Sequence, residues 1–600
     1  MTHTKLLDEL MKCIIVSLKD NDNKIIYSAA QCMYNIMLYF KPYVLINFKD
    51  FFDGLLTLVT IDDPEVKEIA SNLDSSLKGV INYSFQGQFP KGFDLLEFFK
   101  KIILNISLEN PANKCTIVSW ISCINQIPGI KLINILYLFL GDLFDMLKIK
   151  NKNVNDITNE CLEDFYNEIE NDFEDISYNI KIKIFEIVIQ KCEKNKTDEK
   201  NVKFKAFKWA ELFLQKYKFL FMKMVNDQKK NQKKRTVNLA SDTSNNNINN
   251  ISTNSNIINT NSNNNENNQD KEKDKDIKKE DTDESILSVD EDDNKKFPFD
   301  LFVKFLKIIF NTLKEAKDLK ELKDIKEIKQ NDNNNSIDLY TIINKCNSCL
   351  LTIIEKYNMK ASNIKQLEEV LMEYLSENKE LLINVIKWIE KFFNKFGEDA
   401  FSREFNKFIE RFSFIAIYKD EEIFEKGIKT LCNIEKCRKS SINVIILNIL
   451  NKLKEKDNNF AIKRATEFVK VLCKELSVKH VYLTFADVLS KNKSDFNCKI
   501  INILNYFLLT SSDTEELRNL LKNIQKTTNE EDKSFFEKLF STWCINPVSC
   551  LILCLIAEDF ELSHHLLIKF GEVKLKLIQE NYLEYAQLVN VLESRSFLSK

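Results

Sequence analysis

The sequence is poor in the two residues that most often shape turns, with 9 glycines and 7 prolines among 600 residues. Globular proteins ordinarily contain roughly 7% glycine, because glycine alone reaches positive φ at little cost and so builds hairpins and phosphate-binding loops. The scarcity argues against a doubly wound nucleotide-binding fold, a barrel or a sandwich. It predicts an all-α protein whose connections are built from Asn, Asp and Lys.

An excess of charge of one sign is also missing. The chain has 86 Lys and Arg against 89 Asp and Glu, a formal charge of −3, whereas proteins that grip nucleic acid carry a clear positive excess. We therefore expect no nucleic-acid partner. Only seven of the basic residues are Arg. Together with the abundant Asn and Ile this indicates coding bias, and we attach no function to it.

Residue groups that could support catalysis are sparse. The four histidines, His3, His480, His564 and His565, are scattered along the chain, whereas general-base or metal chemistry needs convergent groups. The sequence contains no glycine-rich phosphate loop, nucleophile elbow or HExxH motif. We expect no catalytic residue, no metal site and no cofactor.

Fifteen cysteines occur without the spacing of a disulfide framework. Those that we place on apolar helical faces include Cys32, Cys123, Cys473 and Cys554. Buried free thiols behave as small hydrophobes, and this usage fits a reducing cytosol. The CxxC pair Cys346 and Cys349 has neither a second ligand pair nor a βαβ pattern around it, so we interpret both thiols as structural.

Long hydrophobic runs are absent from the sequence. The most apolar stretches, Ile135–Leu140 and Cys550–Ala557, are too short to cross roughly 30 Å of hydrocarbon. The first residues, MTHTKLLDELMKC, carry charges where a secretory leader would be apolar. We expect a soluble, intracellular protein.

One change of composition divides the chain. Residues 228–297 are mostly Asn, Ser, Lys, Asp and Glu, which bury too little apolar surface to offset the entropy of ordering. We predict a disordered linker there. The resulting division is an amino-terminal HEAT-repeat solenoid over 1–227, the linker over 228–297, middle helical repeats over 298–470 and a carboxy-terminal helical scaffold and oligomerisation domain over 471–600.

Short polar breaks recur along the amino-terminal part, about 41, 47, 43 and 47 residues apart. They lie at Asp22, Asp62–Asp63, Glu109–Asn110, Lys152–Asn153 and Glu199–Lys200. A period of roughly 40–47 residues that holds two helices is typical of HEAT and armadillo repeats, in which stacked pairs supply the core. The Asp or Asn at each break can cap the second helix of its pair. We predict a HEAT/armadillo-like α-solenoid.

Several ordered segments resemble one known family. The amino-terminal part contains NKIIYSAAQCMYNI and IPGIKLINILYLFLGDLFDML, and the carboxy-terminal part contains LLTSSDTEELRNLLKNI, STWCINPV and KFGE in the family's order. The matching residues of the first segment are Ala29, Tyr34, Asn35 and Ile36. Over roughly residues 14–220 and 375–598 the chain resembles the vacuole-morphology scaffold proteins, the family of animal ArPIKfyve. The family pattern extends beyond both ends of this sequence.

The resemblance implies a non-catalytic scaffold without a cofactor. Members of that family bind a FYVE-finger phosphatidylinositol 3-phosphate 5-kinase, a Sac-type phosphoinositide phosphatase and further copies of themselves. The complex makes and turns over phosphatidylinositol 3,5-bisphosphate on endosomal, lysosomal or vacuolar membranes. The resemblance therefore implies a cytoplasmic protein that is peripheral on those membranes through its partners. A solenoid suits this role, because its long surfaces can hold two enzymes.

The segment Ser541–Glu572 is the expected contact region for the phosphatase and for self-association. Within it the candidate contact residues are Trp543, Asn546, Pro547 and Phe570. Tryptophan is enriched at interface hot spots, and Trp543 is equally compatible with an ordinary core position. We interpret Trp120 as a core residue.

Two other functions stay open at this point. A transport receptor of the karyopherin type is also built from helix pairs, although we would expect it to be more acidic than the formal charge of −3 found here. An enzyme in the carboxy-terminal part would need convergent His, Cys, Asp or Gly motifs, which the sequence does not offer.

Overall fold

The computed structural model describes most of the chain outside the predicted linker. The described residues are 2–85, 95–193, 200–220, 222, 298–316, 322–325, 337–357, 359–491, 494–572, 586 and 589–590. Their regular structure is helical, without a β-strand in these ranges. The linker predicted over 228–297 lies outside the described residues.

The chain divides into two compact units, Met1–Pro298 and Phe299–Lys600. The finer four-part division drawn from the sequence stays a proposal, and one helix of the second unit, Asn458–Glu475, runs across its boundary at residue 470. No helix among the described residues combines the length and the apolar character that crossing a bilayer requires.

The first unit is a series of helix pairs. Its helices are α1 Thr2–Ser17, α2 Asn23–Tyr39, α3 Lys41–Ile46, α4 Phe48–Leu58, α5 Pro64–Phe85, α6 Leu95–Ile103, α7 Pro111–Asn125, α8 Leu140–Met146, α9 Lys152–Asp172, α10 Tyr178–Glu193 and α11 over 200–220. A 3-10 helix, Leu132–Leu138, precedes α8.

Corresponding helices of successive pairs stack on one another. In one layer α2 packs against α5 and α7 packs against α9; in the other, α4 contacts α1 and α6, and α8 contacts α10. Each layer buries the apolar side that a single pair would leave exposed. The predicted all-α solenoid is therefore confirmed.

Helix caps occur at four of the five predicted polar breaks, and Glu199 of the fifth lies outside the described residues. The capping side chains accept backbone N–H groups of the first helical turn at 2.8 to 3.1 Å, and they are Asp22, Asp63, Asn110 and Asn151. The last of these lies one residue before the predicted break. Because the first four N–H groups of a helix have no partner within it, a short oxygen acceptor at this position fixes where each helix begins.

The core of the first unit is aromatic around Trp120. This side chain is fully buried, which confirms the core interpretation. The rings of Phe48 and Phe52 on α4 each lie 5.5 Å from it, centroid to centroid, in edge-on geometry. Such aromatic pairs add to the stabilisation that comes from burial alone, so α7 is held against α4.

The second unit repeats the pattern. Its helices are α12 Phe299–Glu315, α13 Leu339–Lys356, α14 Ala361–Glu373, α15 Lys379–Phe396, α16 Phe405–Phe412, α17 Glu421–Cys437, α18 Ile442–Lys454, α19 Asn458–Glu475, α20 Val478–Leu489, α21 Asp495–Thr510, α22 Glu515–Lys522, α23 Glu530–Trp543, α24 Pro547–Ile556 and α25 Phe560–Glu572. One layer is the succession α15, α17, α19 and α21, and the other runs from α16 through α18 and α20 to α23. The final helices α24 and α25 pack on each other.

The cysteines follow the predicted pattern with one exception. Cys346 and Cys349 are both buried within α13, and Cys473 and Cys554 are buried in their helices. The expectation for Cys32 is wrong, because this thiol is exposed to solvent. The neighbouring Met33 is one of the residues of α2 that point into the core, which turns the preceding side chain outward. Cys123 lies between these cases, half-buried.

Candidate partner-binding surfaces

Trp543 is the last residue of α23 and is fully buried. Its indole Nε1 donates to Oδ1 of Asn505 on α21 at 2.7 Å, and its ring lies 6.5 Å from that of Tyr482 on α20. Asn505 in turn donates through Nδ2 to the backbone oxygen of Ser549 on α24 at 3.0 Å. Trp543 thus ties neighbouring helices together from the inside and offers no surface to a partner.

The same bond recurs at two other tryptophans. Trp388 donates through Nε1 to Oδ1 of Asn347, and Trp120 donates to Oδ1 of Asp74, each at 2.7 Å. Donor and acceptor are 41 and 46 residues apart in these pairs and 38 apart at Trp543, so each bond joins one repeat to the preceding one. The recurrence favours the core role that the sequence left open for Trp543.

Asn546 and Pro547 set the corner between α23 and α24. Oδ1 of Asn546 accepts the backbone N–H of Ser549 at 2.9 Å, and its own N–H donates to the backbone oxygen of Trp543 at 3.0 Å. Pro547 occupies the first helical position, where its missing N–H costs nothing. Asn546 is buried. Three of the four candidate residues therefore build one corner, and direct contact of any of them with a partner stays a prediction.

Two thiols meet at the same corner. Sγ of Cys544 lies 3.6 Å from Sγ of Cys550. Hydrogen bonds to Cys544 and Cys554, together with burial, raise the pKa of the Cys550 thiol. Since the thiolate is the reactive form, Cys550 is protonated and unreactive at neutral pH. Cys550 therefore supplies no nucleophile at this corner.

Phe570, the fourth candidate, lies on α25. It is partly buried against Val548 and Leu551 of α24. Beside Phe570, α25 carries an exposed row at positions i, i+4, i+7 and i+8, namely Phe560, His564, Leu567 and Ile568. Three of these four side chains are apolar, so the row is an exposed apolar surface of the described carboxy-terminal helices, whereas Trp543 and Asn546 are buried.

A second apolar surface, at the start of the chain, was missed by the sequence reading. Leu6 is 70% exposed and Tyr39 is 78% exposed, although both lie in helices that also bury an apolar side. The signal was present in the sequence, since α1 carries apolar residues at positions that exceed one face of a helix.

The histidines do not form a catalytic arrangement in the described part of the chain. His480 lies 3.4 Å from Oε1 of Glu435, and that carboxylate also accepts from Ser441 Oγ and the backbone N–H of Ile442 at 2.7 Å each. Glu435 is therefore engaged as a cap of α18. Over the described ranges, no group of three or more His, Cys, Asp or Glu side chains could hold a metal ion.

Two parts of the chain match sequence models of protein families. Residues 458–600 match the family described as "Vacuolar protein 14 C-terminal Fig4p binding", and residues 1–79 match the "Vacuolar 14 Fab1-binding region". The first range contains all four candidate residues and the exposed row of α25. The second contains the exposed side chains of α1 and α2. The two matches confirm the partner classes expected from the sequence, a Fab1-type lipid kinase and a Fig4-type phosphatase.

Curated relatives align along most of the chain. "Vacuole morphology and inheritance protein 14" of Saccharomyces cerevisiae is 24% identical over 99% of this chain and 71% of its own length. Proteins named "Protein VAC14 homolog" are 22% identical in Schizosaccharomyces pombe, over 98% of this chain and 71% of the relative, and 21% identical in Arabidopsis thaliana, over 92% and 60%.

Solved structures resemble the chain only loosely. A crystal structure of importin β aligns with 93% of this chain and 67% of its own length, at 9% identity and a TM-score of 0.26. A score of this size supports no argument about a transport function.

Proposed function

Because the chain belongs to the Vac14 family, we propose that it is a non-catalytic scaffold that holds a Fab1-type phosphatidylinositol 3-phosphate 5-kinase together with a Fig4-type phosphoinositide phosphatase. The complex would make and turn over phosphatidylinositol 3,5-bisphosphate on endosomal and vacuolar membranes. The scaffold would work by co-localisation, because binding two enzymes to one chain raises the effective concentration of each near the other.

One observation carries this proposal. The range that matches the Fab1-binding region, 1–79, lies wholly in the first compact unit, and the range that matches the Fig4p-binding region, 458–600, lies wholly in the second. Each range presents its own exposed apolar side chains. Two enzymes can therefore be held by surfaces that belong to different units, so neither has to displace the other.

Within the second range we propose the exposed row of α25 as the phosphatase contact. Leu567→Glu would place a charge in the middle of this row, and we expect it to weaken phosphatase binding at least about tenfold, as the loss of an apolar anchor does. Leu447→Glu is the matched control, because Leu447 is 45% exposed against 51% for Leu567 and lies in the same unit outside 458–600. If both variants bind the phosphatase equally well, the exposed row of α25 is not the phosphatase contact.

The scaffold is tested by purifying the tagged full chain from its own cells and identifying what co-purifies by mass spectrometry. We expect a FYVE-finger lipid kinase together with a Sac-type phosphatase. Recovery of nuclear cargo or a small GTPase in their place would favour the transport receptor and contradict the scaffold.

A separate assay tests the proposal that the chain is not an enzyme. The purified full chain is incubated with phosphatidylinositol 3-phosphate and ATP, and separately with phosphatidylinositol 3,5-bisphosphate. We expect no product above the buffer control in either reaction, and turnover in one of them would show that the chain is an enzyme. Self-association, which we also propose, is tested by light scattering of the same preparation: a mass above that of one chain supports it.

A further inference from the structure

A pocket of about 200 Å³ lies in the first unit. One wall is formed by residues 170–175, at the end of α9 and in the turn before α10, and the other by Lys216, Phe219 and Leu220 near the end of α11. Small-molecule sites are usually clefts of about 300–1,000 Å³. The pocket is smaller than that, and its size suits one or two side chains of a peptide.

The lining of the pocket is rich in negative charge. It contains the exposed carboxylates Glu170, Asp172, Glu174 and Asp175 and one ammonium group, that of Lys216, a formal sum of −3. Nζ of Lys216 donates to the backbone oxygen of Glu170, so this cation is engaged by the wall of the pocket itself. A negative lining attracts a cationic ligand and repels an anionic one.

A further lysine adjoins the pocket without reversing its charge. Lys181 on α10 is buried, and its Nζ lies 4.7 Å from the centroid of the Phe173 ring, which belongs to the lining. Burial lowers the pKa of Lys181, and the charges of Glu174 and Asp175 oppose this effect. With Lys181 included the formal sum is −2, so the pocket still favours a cation.

The lining also offers an aromatic surface. The Phe219 side chain on α11 is 61% exposed. Lysine and arginine combine an apolar stem with a charged head, and the head is attracted to the face of an aromatic ring. Carboxylates beside an exposed ring therefore match these two residue types. Over the described ranges no group of three or more His, Cys, Asp or Glu could hold a metal ion, which favours a peptide side chain as the cation.

The chain carries a matching ligand close to the pocket in sequence. Residues 229–235, KKNQKKR, contain five positive charges and no carboxylate, and they lie outside the described residues. Lys229 follows Leu220 of the pocket wall by nine residues, and nine residues span up to about 30 Å when extended. A short tether of this kind gives its ligand an effective concentration of about millimolar. The run is thus within reach of the pocket and locally concentrated.

We propose that the pocket binds the basic run 229–235 of the same chain. One lysine or arginine side chain would lie against Phe219, and its neighbours would pair with the carboxylates of 170–175. The inference goes beyond the proposed function, because pocket and run lie outside the ranges 1–79 and 458–600 that match the two binding regions. It gives the beginning of the predicted linker a docking site on the first unit.

The charge pattern distinguishes this run from the other lysine-rich stretch of the linker. Residues 271–280, KEKDKDIKKE, contain five lysines interleaved with four carboxylates, whereas the charged residues of 229–235 are all cations. The acidic lining repels the interleaved carboxylates, so the net attraction is weaker. The stretch 271–280 therefore serves as an internal control in each experiment.

Crosslinking of the unchanged full chain tests the contact directly. A water-soluble carbodiimide joins a lysine amine to a carboxylate that touches it, and mass spectrometry identifies the joined peptides. At low ionic strength we expect lysines of 229–235 to be joined to carboxylates of 170–175 at least about fivefold more often than lysines of 271–280 are, because charge and tether both favour the first run. The yield should fall at about 1 M salt, since exposed charges are then screened.

Trypsin reports on the same contact in variants, because it cleaves after lysine and arginine. In Glu174→Gln/Asp175→Asn, which neutralises two exposed carboxylates of the pocket, we expect cleavage within 229–235 to accelerate at least about threefold, since proteolysis follows the fraction of the run that is undocked. Cleavage within 271–280 and the thermal midpoint should stay unchanged. The matched control is Asp156→Asn/Glu160→Gln, which makes the same change of charge at exposed positions of α9 outside the pocket. It should leave both cleavage rates unchanged.

Four results would overturn the assignment. The first is cleavage of 229–235 at the same rate in the unchanged chain and in the folded pocket variant, and the second is equal acceleration in the pocket variant and the control. Crosslinks that form only between isotopically distinct copies would assign the pocket to a second copy. Protection of 229–235 that appears only with anionic vesicles would assign the run to a membrane. If the pocket variant has a lower thermal midpoint, crosslinking of the unchanged chain decides, and equal yields from 229–235 and 271–280 would contradict the docking site.

Discussion

Arginine is scarce in this chain, and Arg464 makes contacts that a lysine could not make. Its guanidinium is buried and donates to the backbone oxygens of Tyr418 and Lys419 at 2.9 and 3.0 Å, while Nη1 donates to Glu467 at 2.7 Å. Its carbon Cζ also lies 4.5 Å from the ring centroid of Phe424. A planar group with five donors can satisfy several acceptors at once, whereas a lysine ammonium cannot match this fork.

We predict that Arg464→Lys lowers the free energy of unfolding of the second unit by about 2 kcal/mol, because buried carbonyl groups lose their donors. Urea denaturation of the full chain, followed by hydrogen exchange at residues 418–420, measures the loss. Arg411→Lys is the control, since Arg411 is exposed. Equal stability of the two variants would contradict the role of Arg464 as a donor to the backbone oxygens of Tyr418 and Lys419.

Thiol reactivity tests the burial of the cysteines. Burial raises the pKa of the Cys161, Cys432 and Cys473 thiols to about 12, which lowers their thiolate fraction at pH 8 by about three orders of magnitude relative to a free cysteine. We expect iodoacetamide to label these three only after unfolding. The exposed Cys13 and Cys32 should be labelled in the native protein. Mass spectrometry of a timed labelling series reads both groups in one sample, and native labelling of the buried thiols would show that the helices open there.

Substitutions of Trp543 can distinguish a structural role of this residue from direct contact with a partner. Trp543→Phe keeps most of the buried ring but leaves Oδ1 of Asn505 without the indole donor, which should cost about 1–3 kcal/mol. Trp543→Ala also opens a cavity and should cost about 3–5 kcal/mol. Below the melting temperature we expect Trp543→Phe to bind kinase and phosphatase as the unchanged chain does. Weaker phosphatase binding by a fully folded Trp543→Phe protein would support a contact role for this residue.

At the scale of the helix, the caps show what a short sequence pattern determines. Asp420 begins α17: its Oδ1 accepts the backbone N–H of Ile423 at 3.2 Å, and its Oδ2 accepts from Nζ of Lys379 at 2.7 Å. The hydrogen bond with Lys379, followed by the one from the backbone of Ile423, holds the pKa of Asp420 below its ordinary value. The charged form is therefore favoured in the folded protein.

This lowered pKa gives a pH-dependent prediction. A carboxylate whose folded pKa is depressed contributes stability that is present above its unfolded pKa, near 3.9, and is lost as pH falls through the folded value. We expect Asp420→Asn to be less stable than the unchanged chain at pH 7, the difference to shrink once the pH falls below about 4, and to vanish only when the pH lies below the lowered folded pKa of Asp420. Asp420→Ala should cost about 1 kcal/mol more at pH 7, because it also removes the cap. A difference between chain and Asn variant that persists at low pH would contradict the assignment.

The helices show which structural features could be predicted from the sequence and which could not. The caps at Asp22 and Asn110 were predictable because a short oxygen-bearing side chain before an apolar period has one structural use. The bond from Trp543 to Asn505 was not, since it depends on which helices become neighbours 38 residues apart. The exposed surface around Leu6 was missed for a similar reason. From sequence alone, an apolar residue on a helix is predicted to lie in the core, and only the structure shows which of these residues are exposed.

At the scale of the whole chain, the decisive question is whether both enzymes are held at once. The ranges that match the two binding regions, 1–79 and 458–600, belong to different compact units. Shared use of one surface would make the two partners compete, whereas separate surfaces allow a ternary complex whose members stay near each other at an effective concentration set by the chain.

We therefore predict that saturating phosphatase leaves the affinity of the full chain for the kinase unchanged within about threefold, because a larger coupling would need a contact or a structural change shared by the two sites. Titration of labelled kinase with and without phosphatase measures this, and the mass of the mixture in light scattering should exceed the mass of the chain with either enzyme alone. Displacement of kinase by phosphatase would mean that the two regions converge on one site, and the chain would act as a switch between the enzymes instead of holding them together.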